Sequence, residues 1–147
     1  MTKKSAGIYE RKGSLYLIAS LRTDSGLWIK SGPCTVLETT VSAQVLGEAV
    51  METLTRSGAI IPHPTVWKSV DDDNPVLQAA GVKSWKTFRK RARYLSIALY
   101  DEFMLTPTAN EGNQGFTHQP DAMLRLPPSA TASEIGAAVK QAFSSCT

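Results

Sequence analysis

Catalysis and metal binding need particular side chains at particular spacings, and this chain has few of them. Its 147 residues include two cysteines and two histidines. Cys34 and Cys146 lie far apart, form no CxxC and have no histidine at ligand spacing, so the common zinc signatures are excluded. Two isolated thiols fit a reducing compartment, with one long-range disulfide as the open alternative. No GxSxG elbow, Walker loop, HxH or HxxxH pair occurs. His63 sits between two prolines and His118 in a glycine-containing polar loop, and both read as structural or surface residues. The one acidic run, Asp71, Asp72 and Asp73, lacks the EF-hand pattern. The expectation is therefore no catalytic residue, no metal, no cofactor and no enzyme activity.

Long hydrophobic runs are also missing. No apolar stretch approaches the ~20 residues that span a bilayer. The run Leu15 to Leu21 behind Lys3, Lys4, Arg11 and Lys12 imitates a secretory signal, but Glu10 and Arg11 stand close before it, and Arg22, Thr23 and Asp24 follow where small residues guide cleavage. A soluble, cytoplasmic chain is expected. Charge of neither sign dominates: 16 basic against 13 acidic residues leave a formal +3. Such a balance names no partner. The length suits one domain, 1–147, around one sizeable core, with Met1 to Ala6 polar and expected to be flexible.

What is present is a regular alternation of patterns. Gly7 to Arg11 and Ser14 to Arg22 read as strands. The second carries Leu15, Leu17, Ala19 and Leu21 on one face and Tyr16 and Ile18 on the other, as a central strand does. Thr23 to Gly26 supplies turn chemistry, Leu27 to Lys30 returns, Gly32 and Pro33 break the strand, and Thr35 to Glu38 adds a short one. Ser42 then caps a helix with Val45, Leu46, Ala49, Val50, Thr53 and Leu54 on one stripe, which Gly58 terminates. Pro62, Pro64 and Pro75 impose a structured loop, with a helical turn from Pro75 to Ala80 capped by Asp73 or Asn74. Ser84 caps a further helix with Trp85, Phe88 and Ala92 inward and Lys86, Lys90 and Arg93 outward. Tyr94 to Tyr100 and Phe103 to Thr106 form a second hairpin, bent at Asp101 and Glu102. Pro107 to Pro120 reads as a loop with a possible short strand near Phe116, and Met123 to Leu126 as an edge strand. Thr131 and Glu134 make a capping box for a last helix, with Ile135, Ala138, Val139, Ala142 and Phe143 inward. The fold expected is α+β: an antiparallel sheet, built from the N-terminal meander and the second hairpin, packed against two or three helices.

Two segments are candidates for function. The cations of the Lys83 to Arg93 stretch interleave with Trp85 and Phe88; Lys86, Arg89, Lys90 and Arg93 form either a nucleic-acid grip or the wet side of an amphipathic helix. Asp71, Asp72 and Asp73 beside Trp67 form either a solvated loop or an acidic prong presented to a basic partner. Trp28 and Trp85 are expected in the core.

Four segments, Ser42 to Gly58 (SAQVLGEAVMETLTRSG), Pro62 to Lys68 (PHPTVWK), Gly81 to Ala92 (GVKSWKTFRKRA) and the strand end Leu105 to Thr108 (LTPT), occur in an order that resembles the immunity proteins of bacterial contact-dependent growth inhibition systems. The likeness covers roughly Ile8 to Pro120. It implies a small cytoplasmic protein that binds the C-terminal toxin domain of a surface-delivered effector, often a nuclease, as a heterodimer and blocks it. It brings no catalytic motif, and its contact residues vary with the toxin. On this reading Trp67 is the candidate anchor and Asp71, Asp72 and Asp73 are steering charges. The alternative is a small basic nucleic-acid-binding module using Lys86, Arg89, Lys90 and Arg93.

Overall fold

The computed structural model describes residues 3–64, 71 and 73–147. In chain order the described elements are β1 (Lys4–Arg11), β2 (Ser14–Thr23), β3 (Trp28–Glu38), α1 (Ala43–Thr55), β4 (Ile60–Ile61), α2 (Pro75–Ala80), α3 (Trp85–Arg89), β5 (Arg93–Tyr100), β6 (Glu102–Asn110), β7 (Phe116–His118), β8 (Leu124–Leu126) and α4 (Ala132–Phe143). The strands form one sheet in the order β3-β2-β1-β5-β6-β7, with β8 on β6 and β4 on β2. All pairings are antiparallel except the two-residue β4 contact with β2. The expected α+β architecture is thus the observed one. The β1–β2 turn is Lys12 and Gly13, both at positive φ, which a two-residue hairpin of right-handed twist demands.

Alternation along the central strands creates two hydrophobic layers, one on each face. On the first, Ile8, Leu15, Leu17, Leu95, Ile97, Phe103 and Leu105 pack against Leu46, Val50 and Leu54 of α1 and Ile135, Val139 and Phe143 of α4. On the second, Tyr9, Tyr16 and Ile18 pack against Val76 and Leu77 of α2 and Phe88 of α3. The two-sided apolarity of β2 follows from its place between β1 and β3 with helices above and below. Helices α1 and α4 meet at Gly47 and Gly136. A Cβ on Gly47 would fall 1.7 Å from the carbonyl oxygen of Ala132, and one on Gly136 would fall 1.8 Å from that of Ala43. Only glycine permits this approach.

Several sequence expectations are met in detail. Ser42 Oγ accepts from Val45 N, Asn74 Oδ1 from Val76 N and Leu77 N, and Thr131 with Glu134 forms the complete capping box. Others are corrected. Residues Lys4 to Ala6 are not loose: Ser5 and Ala6 pair with both β2 and β5 in the middle of the sheet, and Lys4 pairs with β5. Pro33 does not end its strand: β3 is an edge strand, and the register shift between Leu17 and Ala19 absorbs residues 32–34 opposite Ile18. Pro107 likewise lies inside β6, where that strand changes its outer partner from β8 to β7, so its missing N–H falls between two pairings. Val45 is 44% exposed; Gly47, which the apolar count passes over, occupies the inward position instead.

Candidate functional site

Among the described residues, the second sheet face is covered over only part of its length. Read along the strands, it presents Tyr9, Tyr16 and Tyr94 under α2 and α3, and then changes to small residues. Lys30, Ser20, Ser5, Ala98 and Met104 are successive cross-strand partners over five strands, with Gly7, Ser96 and Thr106 in the parallel row. Ser5, Ser20, Ser96, Ala98 and Thr106 floor a cavity of about 390 Å³, walled by Trp28, Lys30 and Lys3 on one side and Met104, Met123 and His118 on the other. Tyr94 closes one end. Its ring lies across Gly7, where an added Cβ would come within 2.5 Å of it, and its hydroxyl accepts from Lys30 Nζ at 2.8 Å. The Lys30 ammonium also stands 4.6 Å from the Tyr94 ring centroid and 5.7 Å from that of Tyr9, and Lys3 stands 6.0 Å from Trp28. Trp28, expected in the core, is thus a half-buried wall residue belonging to neither hydrophobic layer. Trp85 does join the second layer, stacked on Phe88 at 5.3 Å.

The basic segment is divided by the fold. Helix α3 ends at Arg89, and Lys86 and Lys90 are exposed. Arg93, expected on its outer side, instead opens β5. There its guanidinium pairs with Glu10, donates from Nη1 to the Phe143 carbonyl at 2.8 Å and lies over the Phe143 ring, tying the sheet to α4. Arg89 bonds to Asn113. Arg89, Lys90 and Arg93 line one cavity of about 500 Å³ with Arg91, Asn110 and Thr147; Lys86 does not line it.

Asp71, the first residue of the acidic run, is attached to that basic helix. Asp71 Oδ1 accepts from the Trp85 backbone N–H at 2.6 Å, satisfying a first-turn donor of α3. Asp73 is exposed at φ 48°. Trp67 and Asp72 lie outside the described residues.

Several chemically active groups are tied down or buried. His63 Nδ1 lies 2.6 Å from Ser25 Oγ, and the nearby Asp24 carboxylate accepts from the His63 backbone N–H. The contact pins the β2–β3 turn to residues after β4. Arg11 lies buried over the Phe88 ring at 5.5 Å, and its Nε has no partner among the described residues. Burial pushes the Cys34 thiol up to about 11 and raises Cys146 as well. Both thiols are free, and because they belong to opposite faces of the sheet they do not approach each other. Among the described residues no group of three or more His, Cys, Asp or Glu side chains is placed to hold a metal ion. Nor is any described helix long and apolar enough to cross a membrane.

No curated protein matches the sequence. Solved structures share the fold, among them the following two. A Neisseria meningitidis protein of unknown function superposes with a TM-score of 0.76 at 17% identity, covering 99% of this chain and 96% of its own. A toxin and immunity complex from Yersinia pseudotuberculosis, described as CdiA-CT/CdiI, contains a chain that matches with a TM-score of 0.77 at 17% identity, over 100% of this chain and 99% of that one. The family model of CDI immunity proteins, CdiI, matches residues 4–146. With all eight described strands and all four described α-helices inside that match, the chain belongs to the CDI immunity protein family.

Proposed function

We propose that this protein neutralises a contact-dependent growth inhibition toxin by binding its C-terminal domain as a stoichiometric heterodimer in the cytoplasm, and that the toxin is a nuclease. The observation that carries the reading is the family match over residues 4–146. A relative of the same fold found in a toxin and immunity complex supports the mode of action. Inhibition needs no catalytic group from this chain, only a complementary surface; stable complexes bury ~1,600 Å² in total around a few anchoring side chains. Trp67 remains the proposed anchor and Asp71, Asp72 and Asp73 the proposed steering charges of one contact region.

The test is co-expression with the toxin domain encoded beside this gene. The expected result is restored growth, co-purification at one-to-one ratio, and loss of the toxin's cleavage of nucleic acid in vitro when the protein is added. Cell death despite expression, or two proteins that elute separately, would refute the binding reading. A toxin that leaves DNA and RNA intact would refute the nuclease part alone. Direct nucleic-acid binding through Lys86, Arg89, Lys90 and Arg93 is the weaker reading, because Arg93 is engaged with Glu10 and Phe143 and Arg89 with Asn113.

A further inference from the structure

The open part of the second sheet face differs from an ordinary solvated sheet. A face that only meets water typically carries long polar side chains; this one has Ser5, Ser20, Ser96 and Ala98 at its centre, short side chains that leave room for a ligand between the larger groups at the rim. Its rim is cationic: Lys3 and Lys30 line the cavity, and among the described residues no Asp or Glu does. Neither lysine has a carboxylate partner among the described residues. Lys30 is instead held over Tyr94 by a hydrogen bond to its hydroxyl, so its ammonium is already oriented and loses little rotamer freedom on binding. Trp28, Met104 and Met123 add aromatic and thioether surface suited to adaptable apolar contact.

We infer that this groove receives an acidic segment of the toxin domain: an Asp or Glu carboxylate engages Lys30 and Lys3, and flanking apolar side chains rest on Trp28, Met104 and Met123. The inference rests on the proposed toxin-binding function and names the chemistry of its partner at this face. Nucleic acid fits the groove less well. Protein–DNA interfaces bury ~1,000 Å² or more of protein surface and engage several phosphates, whereas two lysines around 390 Å³ offer a short cationic lip. The charge sense is consistent with the formal +3 of the whole chain. A partner with an acidic patch would be attracted from a distance and oriented before contact.

Zero-length carbodiimide cross-linking of the complex with the neighbouring toxin domain, followed by peptide mass spectrometry, reads the contact directly, since it joins only an amine and a carboxylate in touch. The expected product links Lys30 or Lys3 to a toxin Asp or Glu. In parallel, Lys30→Glu slows association at least tenfold, the loss shrinking in high salt, and Ala98→Trp, which fills the groove, weakens binding about a hundredfold. Lys86→Glu leaves binding within twofold. Lys30 is exposed, so its variant stays informative even if Ala98→Trp lowers the melting temperature. Toxin binding and neutralisation with no link to Lys3 or Lys30, and Lys30→Glu within twofold of the unmodified protein, would overturn the inference while leaving the proposed function intact. Absence of toxin binding by the unmodified protein would overturn both. Retention on RNA or DNA that is lost in Lys30→Glu would overturn the assignment of a protein segment as the occupant.

Discussion

Replacing Gly47 by alanine tests whether the contact of α1 with α4 is set by two missing side chains. Helix propensity alone predicts a gain of ~1 kcal/mol from glycine to alanine in a helix interior. The structure predicts a loss. The new Cβ would stand 1.7 Å from Ala132 O and 2.4 Å from Ala132 C, both backbone atoms that cannot rotate away, whereas side-chain carbons essentially never approach such atoms within 3.0 Å. The helices must therefore part by about 1.3 Å at the crossing, and gaps of 0.5–1 Å already forfeit a quarter to a half of each dispersion contact. Overpacking of this kind costs ~1–3 kcal/mol, and the upper end applies because neither helix can relax alone; less the propensity gain, the net loss is about 2 kcal/mol. Gly136→Ala meets Ala43 O at 1.8 Å and should cost the same. One separation relieves both clashes, so the double variant should cost about as much as either single one instead of their sum. Urea unfolding followed by circular dichroism measures all four proteins, with Cm shifting at constant m. Stabilised single variants, or strictly additive losses, would refute the account of the crossing.

Three further outcomes follow from the same geometry. Asp71→Ala removes the carboxylate that accepts from Trp85 N and should cost ~1 kcal/mol through loss of a helix cap, seen as a lower urea midpoint; Asp71→Asn, which retains an acceptor, should recover most of it. Arg93→Met strips Glu10 of its partner and the Phe143 carbonyl of a donor; with both side chains partly exposed the loss should be about 1–2 kcal/mol, read as a lower urea midpoint, and an unchanged midpoint would refute the tie between sheet and α4. Cys34, with its thiol pushed up to about 11, should react with a disulfide reagent at pH 8 far more slowly than in the urea-unfolded chain, and the rate should rise as pH climbs toward 11; fast labelling of the folded protein at pH 8 would contradict its burial.

Local chemistry was legible wherever it is decided by near neighbours in the chain. Ser42, Asn74, Ser84 and Thr131 each cap the helix that their spacing announces, and the alternation of Tyr94 to Tyr100 gives the strand. The candidate site was not legible in this way. Ser5, Ser20, Ser96 and Ala98 have no distinguishing pattern in sequence, and Lys3 was assigned to a loose end; only the pairing of β1 with both β2 and β5 brings them to one floor. The acidic run and the basic helix, read as separate candidates, are joined by the bond from Trp85 N to Asp71, which spans 14 residues. Arg93 reads as helical by its spacing, but the helix closes at Arg89 and the strand claims it.

The sequence by itself determined the class of fold, the caps, the hairpins and the two-faced character of β2, because these depend on side-chain period and turn chemistry acting over a few residues. Tertiary structure alone decided which prolines could stay inside strands, since that depends on whether a neighbour demands the missing N–H. It also decided that two glycines would set the spacing of α1 and α4, and that α2 and α3 would cover the aromatic end of the second face while the described elements leave a groove at its small-residue end beside Lys30. Propensity is a property of a segment; an opening is a property of what packs beside it.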